Sequence, residues 1–171
     1  MNKGAILSAD GKYRYVLNRI WDDNLPKVAI IGLNPSTADA TEDDRTINRC
    51  INFVRSWGYG GFYMLNLFAF RATDPKELYK AKNPIGEDNE KYILDVISKV
   101  EKVVCAWGNH GIYQNQNKKI LSLIEAPFCL KISLSGEPRH PLYLKSDLKP
   151  IEYKKNNIKK HTQIADKIFK K

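Results

Sequence analysis

The stretch Val28-Ala29-Ile30-Ile31-Gly32-Leu33-Asn34-Pro35-Ser36-Thr37-Ala38-Asp39 decides how this chain is read. An apolar run with no polar interruption breaks abruptly into a polar, Pro-containing turn. A run this short and without alternation fits a strand buried on both faces. Three further runs share the pattern, Phe62 to Leu67, Val103 to Trp107 and Phe128 to Ile132, and each ends in turn chemistry. Helical spacing lies between them. Ile47, Ile51, Val54 and Trp57 form one stripe, stopped by Gly58; Tyr92, Leu94, Val96, Ile97 and Val100 form a second; Ile120, Leu121 and Ile124 suggest a shorter third.

Strand and helix therefore alternate from Val28 to Ile132. With right-handed crossovers this order predicts a three-layer α/β/α domain around a central sheet of four parallel strands. Upstream, Ala5-Ile6-Leu7 leads into Asp10-Gly11, and Tyr13, Tyr15 and Leu17 then alternate with other residues, which predicts an N-terminal hairpin. Downstream, Ile158, Ala165, Ile168 and Phe169 share one side of a helix that shows lysines elsewhere. The 171 residues suit one domain, divided into a hairpin (1–24), an α/β core (25–153) and a basic C-terminal helix (154–171).

Composition narrows the functional classes. No stretch approaches the ~20 apolar residues of a membrane span. Met1 to Asp10 has no long apolar run behind a basic segment, so no signal peptide and a cytoplasmic location are expected. Cys50, Cys105 and Cys129 are scattered in apolar surroundings, which predicts buried free thiols and no metal site. There is no phosphate-binding Gly-rich signature for a nucleoside triphosphate or dinucleotide, and no cofactor is expected. The net charge is +9, and +6 of it falls between Lys145 and Lys171, where nine lysines face Asp147, Glu152 and Asp166. A basic surface of this kind attracts polyanions.

Ligands of open parallel sheets bind beyond the C-terminal ends of the strands. All four strand ends here carry hydrogen-bonding or titratable residues beside Gly or Pro: Asn34 to Asp39, then Asn66 to Arg71, Trp107 to Gly111, and Ser135 to Pro141. Asn34 either orients a water or substrate edge, or simply forms a turn before Pro35. Asn66, inside an apolar strand, either reads a polar ring edge or bonds to a neighbouring loop. His140, stiffened by Pro138 and Pro141, is either a donor that titrates near neutrality or a surface histidine. His110 is a weaker candidate, and His161 belongs to the lysine-rich helix. Asp43 or Asp44 can cap the first helix, and Arg45 and Arg49, one turn apart, either face phosphate or pair on the surface.

These residues resemble two families. Tyr13-Arg14-Tyr15, Arg19, Trp21, Leu33 to Asp39, Asp44-Arg45-Thr46, Arg49-Cys50, Asn66 to Ala69, Arg71-Ala72-Thr73, Ala106-Trp107-Gly108 and His140 to Tyr143 resemble the bacterial and phage family called domain of unknown function 1643. The motif order is also similar to the uracil-DNA glycosylase superfamily. Gly32-Leu33-Asn34-Pro35 looks like its water-activating motif, Asn66 like its base-reading Asn, and His140-Pro141 like its His-Pro motif. The first motif here lacks an Asp, and no cysteine cluster is present.

The second resemblance implies a DNA glycosylase that flips a modified or damaged base out of the stack and hydrolyses its N-glycosidic bond. A modified phage base, such as a substituted cytosine, is a target the first resemblance suggests. Asn34 would position water, His140 would stabilise the leaving base, and Asp39 is the third catalytic candidate. Leu33, Pro35, Ser36, Asn66, Phe68, Arg71 and Trp107 would bind the substrate. Arg45, Arg49, Arg139, Lys145, Lys159 and Lys160 would hold phosphates, and Leu142 or Tyr143 would fill the gap left by the base. The expected partner is DNA, double- or single-stranded, bound by a monomer. Two alternatives stay open: a nucleic-acid-binding module without excision, and an enzyme of free nucleosides or nucleotides.

Overall fold

The computed structural model describes residues 1–153; the expected C-terminal helix, with His161, Lys159 and Lys160, lies outside the described residues. The four apolar runs are strands: β3 (Val28–Gly32), β4 (Gly61–Asn66), β5 (Lys102–Cys105) and β6 (Pro127–Cys129). They pair in parallel, β4 beside β3, β3 beside β5 and β5 beside β6. Three helices join them: α1 (Arg45–Ser56), α2 (Asn89–Ile97) and α3 (Gln116–Leu121).

The sheet is larger than the four parallel strands expected. It is mixed and seven-stranded, in the order β1-β2-β4-β3-β5-β6-β7. The hairpin strands β1 (Asn2–Leu7) and β2 (Arg14–Ile20) extend one edge through an antiparallel β2–β4 ladder. A two-residue strand β7 (Ile151–Glu152) lies antiparallel on the other edge. The hairpin is thus a continuation of the core sheet, and β2 is an interior strand buried almost throughout.

Successive residues of the central strands feed opposite faces. Ala29, Ile31, Leu65, Val103 and Cys105 pack with Ile93 and Val96 of α2 and Ile120 and Leu121 of α3. Val28, Ile30, Phe62, Met64 and Val104 pack with Ile47, Cys50, Ile51 and Val54 of α1. The chain leaves β3 through α1 towards β4 on one side, and leaves β5 through α3 towards β6 on the other. The β3 and β5 ends therefore diverge, and a crevice opens between them.

Arg14, through Ala38 O, and Arg19 tie the hairpin to the loop that enters α1. Arg19 is fully buried; its Nε meets Asp43 at 2.7 Å, and its terminal nitrogens donate to Asn18 O (2.8 Å) and Asp39 O (2.6 Å). Lys3 adds a 3.2 Å contact to the same carboxylate. Burial opposes ionisation of Asp43, but the bonds from Arg19 and Lys3 outweigh it and hold the carboxyl below its ordinary value. Asp44 next door caps α1, accepting from Ile47 N at 2.9 Å.

Asp43→Ala leaves the buried Arg19 cation uncompensated, so unfolding in urea should show a loss of about 3 kcal/mol. Because the folded-state pKa is depressed, this contribution is present above the unfolded pKa and fades as pH falls through the folded one. The loss caused by Asp43→Ala should accordingly shrink in acid. An equal loss at neutral and strongly acidic pH would contradict the assignment.

Candidate active site at the strand ends

The crevice between the β3 and β5 ends holds a cavity of about 380 Å³, within the ~300–1,000 Å³ of small-molecule sites. All four parallel strand ends reach it. Leu33, Asn34, Pro35 and Ser36 come from β3, Asn66 from β4, Trp107 to His110 from β5, and His140 with Leu142 from the loop after β6.

Asn66 is the last residue of β4 and is 1% exposed. Neither its Oδ1 nor its Nδ2 has a hydrogen-bond partner. An unpaired buried amide forfeits about 1–3 kcal/mol. Its neighbour in the register is Gly32, where a Cβ would come within 3.0 Å of the Asn66 Oδ1 and 2.8 Å of Met64 Cε. Glycine at the end of β3 thus leaves room for the amide. Asn89 holds the backbone below it, donating to Asn66 O (2.9 Å) and Leu67 O (3.1 Å).

Asn34 Nδ2 donates to Ala72 O (2.8 Å) and Pro35 O (3.1 Å). Two carbonyl partners fix the amide orientation, because only the NH2 can meet both. Oδ1 is left as an acceptor. His140 Nδ1 accepts from Leu142 N at 3.1 Å. Burial lowers its pKa, against the opposing pull of Asp44. The ring is therefore neutral at pH 7 and carries its proton on Nε2. Asp44 and Arg14 complete the polar wall. Arg14 is 2% exposed and donates to Ala38 O at 2.9 Å, while its Nε is unpartnered. Burial pulls its pKa down to about 10, so it remains a cation at neutral pH.

In the cavity wall, Trp107 is 2% exposed, with the α-carbon of Gly111 so close that any side chain there would strike the indole. Its N–H faces Glu137 without reaching hydrogen-bond geometry. Burial raises the Glu137 pKa, while bonds from Asn117 and Tyr153 pull the other way.

Other expected site residues fall elsewhere. Asp39 does not line the cavity; its Oδ1 accepts from Thr41 N (2.9 Å) and Glu42 N (2.8 Å) and closes the loop before α1. Phe68 is fully buried and does not line the cavity. After Asn66 the chain turns inward, Phe68 N donating to Leu33 O at 2.9 Å, and its ring packs near Tyr113 at 5.7 Å. Arg71 lines an adjoining hollow that shares Ser36, Ala72 and Thr73 with the cavity. There its guanidinium reaches Gly11 O, Ser36 O and Thr37 O at 3.3–3.5 Å. Arg45 is exposed on α1, and Arg49 bonds Pro141 O at 3.4 Å and lies over Phe53. Arg139, Tyr143 and Lys145 line a separate groove. The three cysteines are buried and free; burial pushes Cys50 up to about 12 and Cys129 up to about 11, which suits inert thiols.

Sequence reading missed Asp44 and Arg14 as cavity residues. Asp44 was legible only as a helix cap, and Arg14 only as one position of an alternating strand. It also missed the contact between Tyr79 Oη and His110 Nδ1, 2.8 Å, at the cavity rim. Among the described residues no three His, Cys, Asp or Glu side chains converge to hold a metal, and no helix is long and apolar enough to cross a membrane.

An α/β protein with a pocket at its sheet's switch point is the class that fold and site define. The chain belongs to the DUF1643 family, described as proteins of unknown function, whose sequence profile matches residues 14–142. No curated protein and no solved structure matches it.

Two measurements check this geometry. The His140 ring should titrate by NMR with a midpoint below 6.5; a midpoint at or above that value would place the ring in water or in an ion pair. Asn66→Val removes an unpaired amide, so the free protein should become more stable by about 1 kcal/mol. A drop instead would mean that the amide is bonded within the fold.

Proposed function

We propose that this protein is a DNA glycosylase that hydrolyses the N-glycosidic bond of a modified or damaged base held in the strand-end cavity. On this reading the parallel strands, with helices on both faces, are a uracil-DNA glycosylase-like three-layer core to which the hairpin adds. The observation that carries the reading is Asn66, whose buried amide has a donor and an acceptor side by side and no protein partner. A nucleobase edge with complementary donor and acceptor satisfies both at once.

The chemistry follows from the wall. Asn34 Oδ1 accepts a hydrogen bond from the attacking water, and the Asp44 carboxylate takes its proton. The water oxygen bonds to C1′ of the sugar as the C1′–N bond breaks, and the electron pair leaves with the base. His140, neutral and protonated on Nε2, donates to the negative charge that develops there. Asp44 supplies the carboxylate that the first motif lacks and that Asp39, outside the cavity, is not placed to supply. Arg14 adds a fixed positive charge beside it.

The test is base release followed by mass spectrometry, using DNAs that carry uracil, mismatched, oxidised and substituted-cytosine bases. Wild type should free one base and leave an abasic site. Asp44→Asn should slow release by about 10²–10⁴-fold and His140→Ala by about 10²–10³-fold, with DNA binding retained. Full activity in Asp44→Asn would remove this mechanism. Tight, salt-sensitive binding with no product from any base would favour a binding module.

A further inference from the structure

Two arginines leave strand β2, and the fold receives them differently. Arg19 is met by the Asp43 carboxylate and by four carbonyl oxygens. Arg14, 2% exposed, donates once, from Nη1 to Ala38 O at 2.9 Å. Its Nε is enclosed without a partner. Among the described residues Nη2 makes no hydrogen bond and the guanidinium has no ion-pair partner. Asp44, the one carboxylate of the cavity wall, turns an oxygen to the α1 cap and forms no ion pair with it.

A buried guanidinium with so few partners is costly. Burial opposes its charge most strongly; Asp44 favours the charge, Arg71 and Arg19 oppose it, and Asp39 favours it. The group stays a cation all the same, and it does so at the wall of a cavity. A neutral acceptor there would fill an idle donor and leave the charge standing. An anion would do both, through charge-assisted bonds, and away from bulk water such a pair is stronger than at the surface. Positive charge continues past the cavity. The adjoining hollow, which shares Ser36, Ala72 and Thr73 with it, is lined by Lys12 and Arg71 against Glu77.

We propose that Arg14 is the receptor for a negatively charged group of the ligand, so that the cavity selects a guest carrying an oxyanion, either a carboxylate on the base or a phosphate of its nucleotide. The nature of the guest rests on the excision reading above; the charge is what Arg14 adds to it. Asn66 meets a ring edge that a neutral base and its acidic derivative share, and Arg14 tells the two apart. The planar guanidinium suits either oxyanion. For an acidic base the contact has a second effect. The electron pair of the C1′–N bond leaves with a base that is already charged, and Arg14 neutralises one negative charge while His140 donates to the other.

The probes are uracil, 5-carboxyuracil, 6-carboxyuracil, uridine and uridine 5′-monophosphate, titrated into the full chain at constant ionic strength and followed by NMR. Wild type should bind at least one charged probe about ten- to a hundredfold more tightly than its neutral parent. Arg14→Gln, which keeps a donor for Ala38 O and removes the charge, should lose that preference and still bind the neutral parent. Arg14→Lys, which keeps the charge, should retain part of it. A preference among the free bases puts the oxyanion on the base; a preference confined to the monophosphate over uridine puts it on the nucleotide. Equal affinity of wild type for charged and neutral probes overturns the receptor and leaves the excision reading standing. A full preference that survives in Arg14→Gln also overturns it and assigns the charge reading to Lys12 and Arg71. Binding of no probe at millimolar concentration overturns both.

Discussion

At the ends of β3 and β4 a residue with no side chain faces one whose amide has no partner. Gly32 and Asn66 are register neighbours, and the space that Gly32 leaves is the space in which the Asn66 amide stands. The rest of the site depends on this juxtaposition. Parallel pairing of β3 with β4 fixes it, and Asn89 clamps the backbone from below. A buried amide left open at a strand end works against stability, and it makes sense in a protein that waits for a ligand with a complementary edge.

Around that amide the loops supply groups whose states the fold has already set. Two carbonyls orient Asn34. One backbone N–H sets the tautomer of His140, and burial keeps the ring neutral. The N-cap role of Asp44 fixes its carboxylate at the entrance to α1. Each group is positioned by an interaction that also serves local structure, so on the proposed reading little reorganisation is left for the moment of reaction. The Arg19–Asp43 pair does the same at larger scale, holding the hairpin against the loop from which Asp44 emerges.

Much of this was legible in the sequence because short apolar runs ending in polar turns are a strong signal. All four runs are strands, and Asn34, Asn66, Trp107 and His140 converge on one cavity. What escaped sequence reading has specific causes. Arg14 and Arg19 sit buried in an interior strand, against the usual exposure of arginine, because carbonyls and a carboxylate more than twenty residues away receive them. Phe68 follows Asn66 by two residues, which puts both on one face of an extended strand; the strand stops at Asn66, and the phenylalanine turns into the core.

The central claim is that a nucleobase edge is the missing partner of Asn66. It is tested most directly by following the Asn66 side-chain amide and the His140 ring by NMR while free pyrimidine and purine bases are titrated in. The account predicts that at least one base shifts both sets of resonances together, and that the His140 response is lost in Asn66→Val while the backbone spectrum is otherwise kept. Shifts confined to other surfaces, or none at millimolar base, would contradict it.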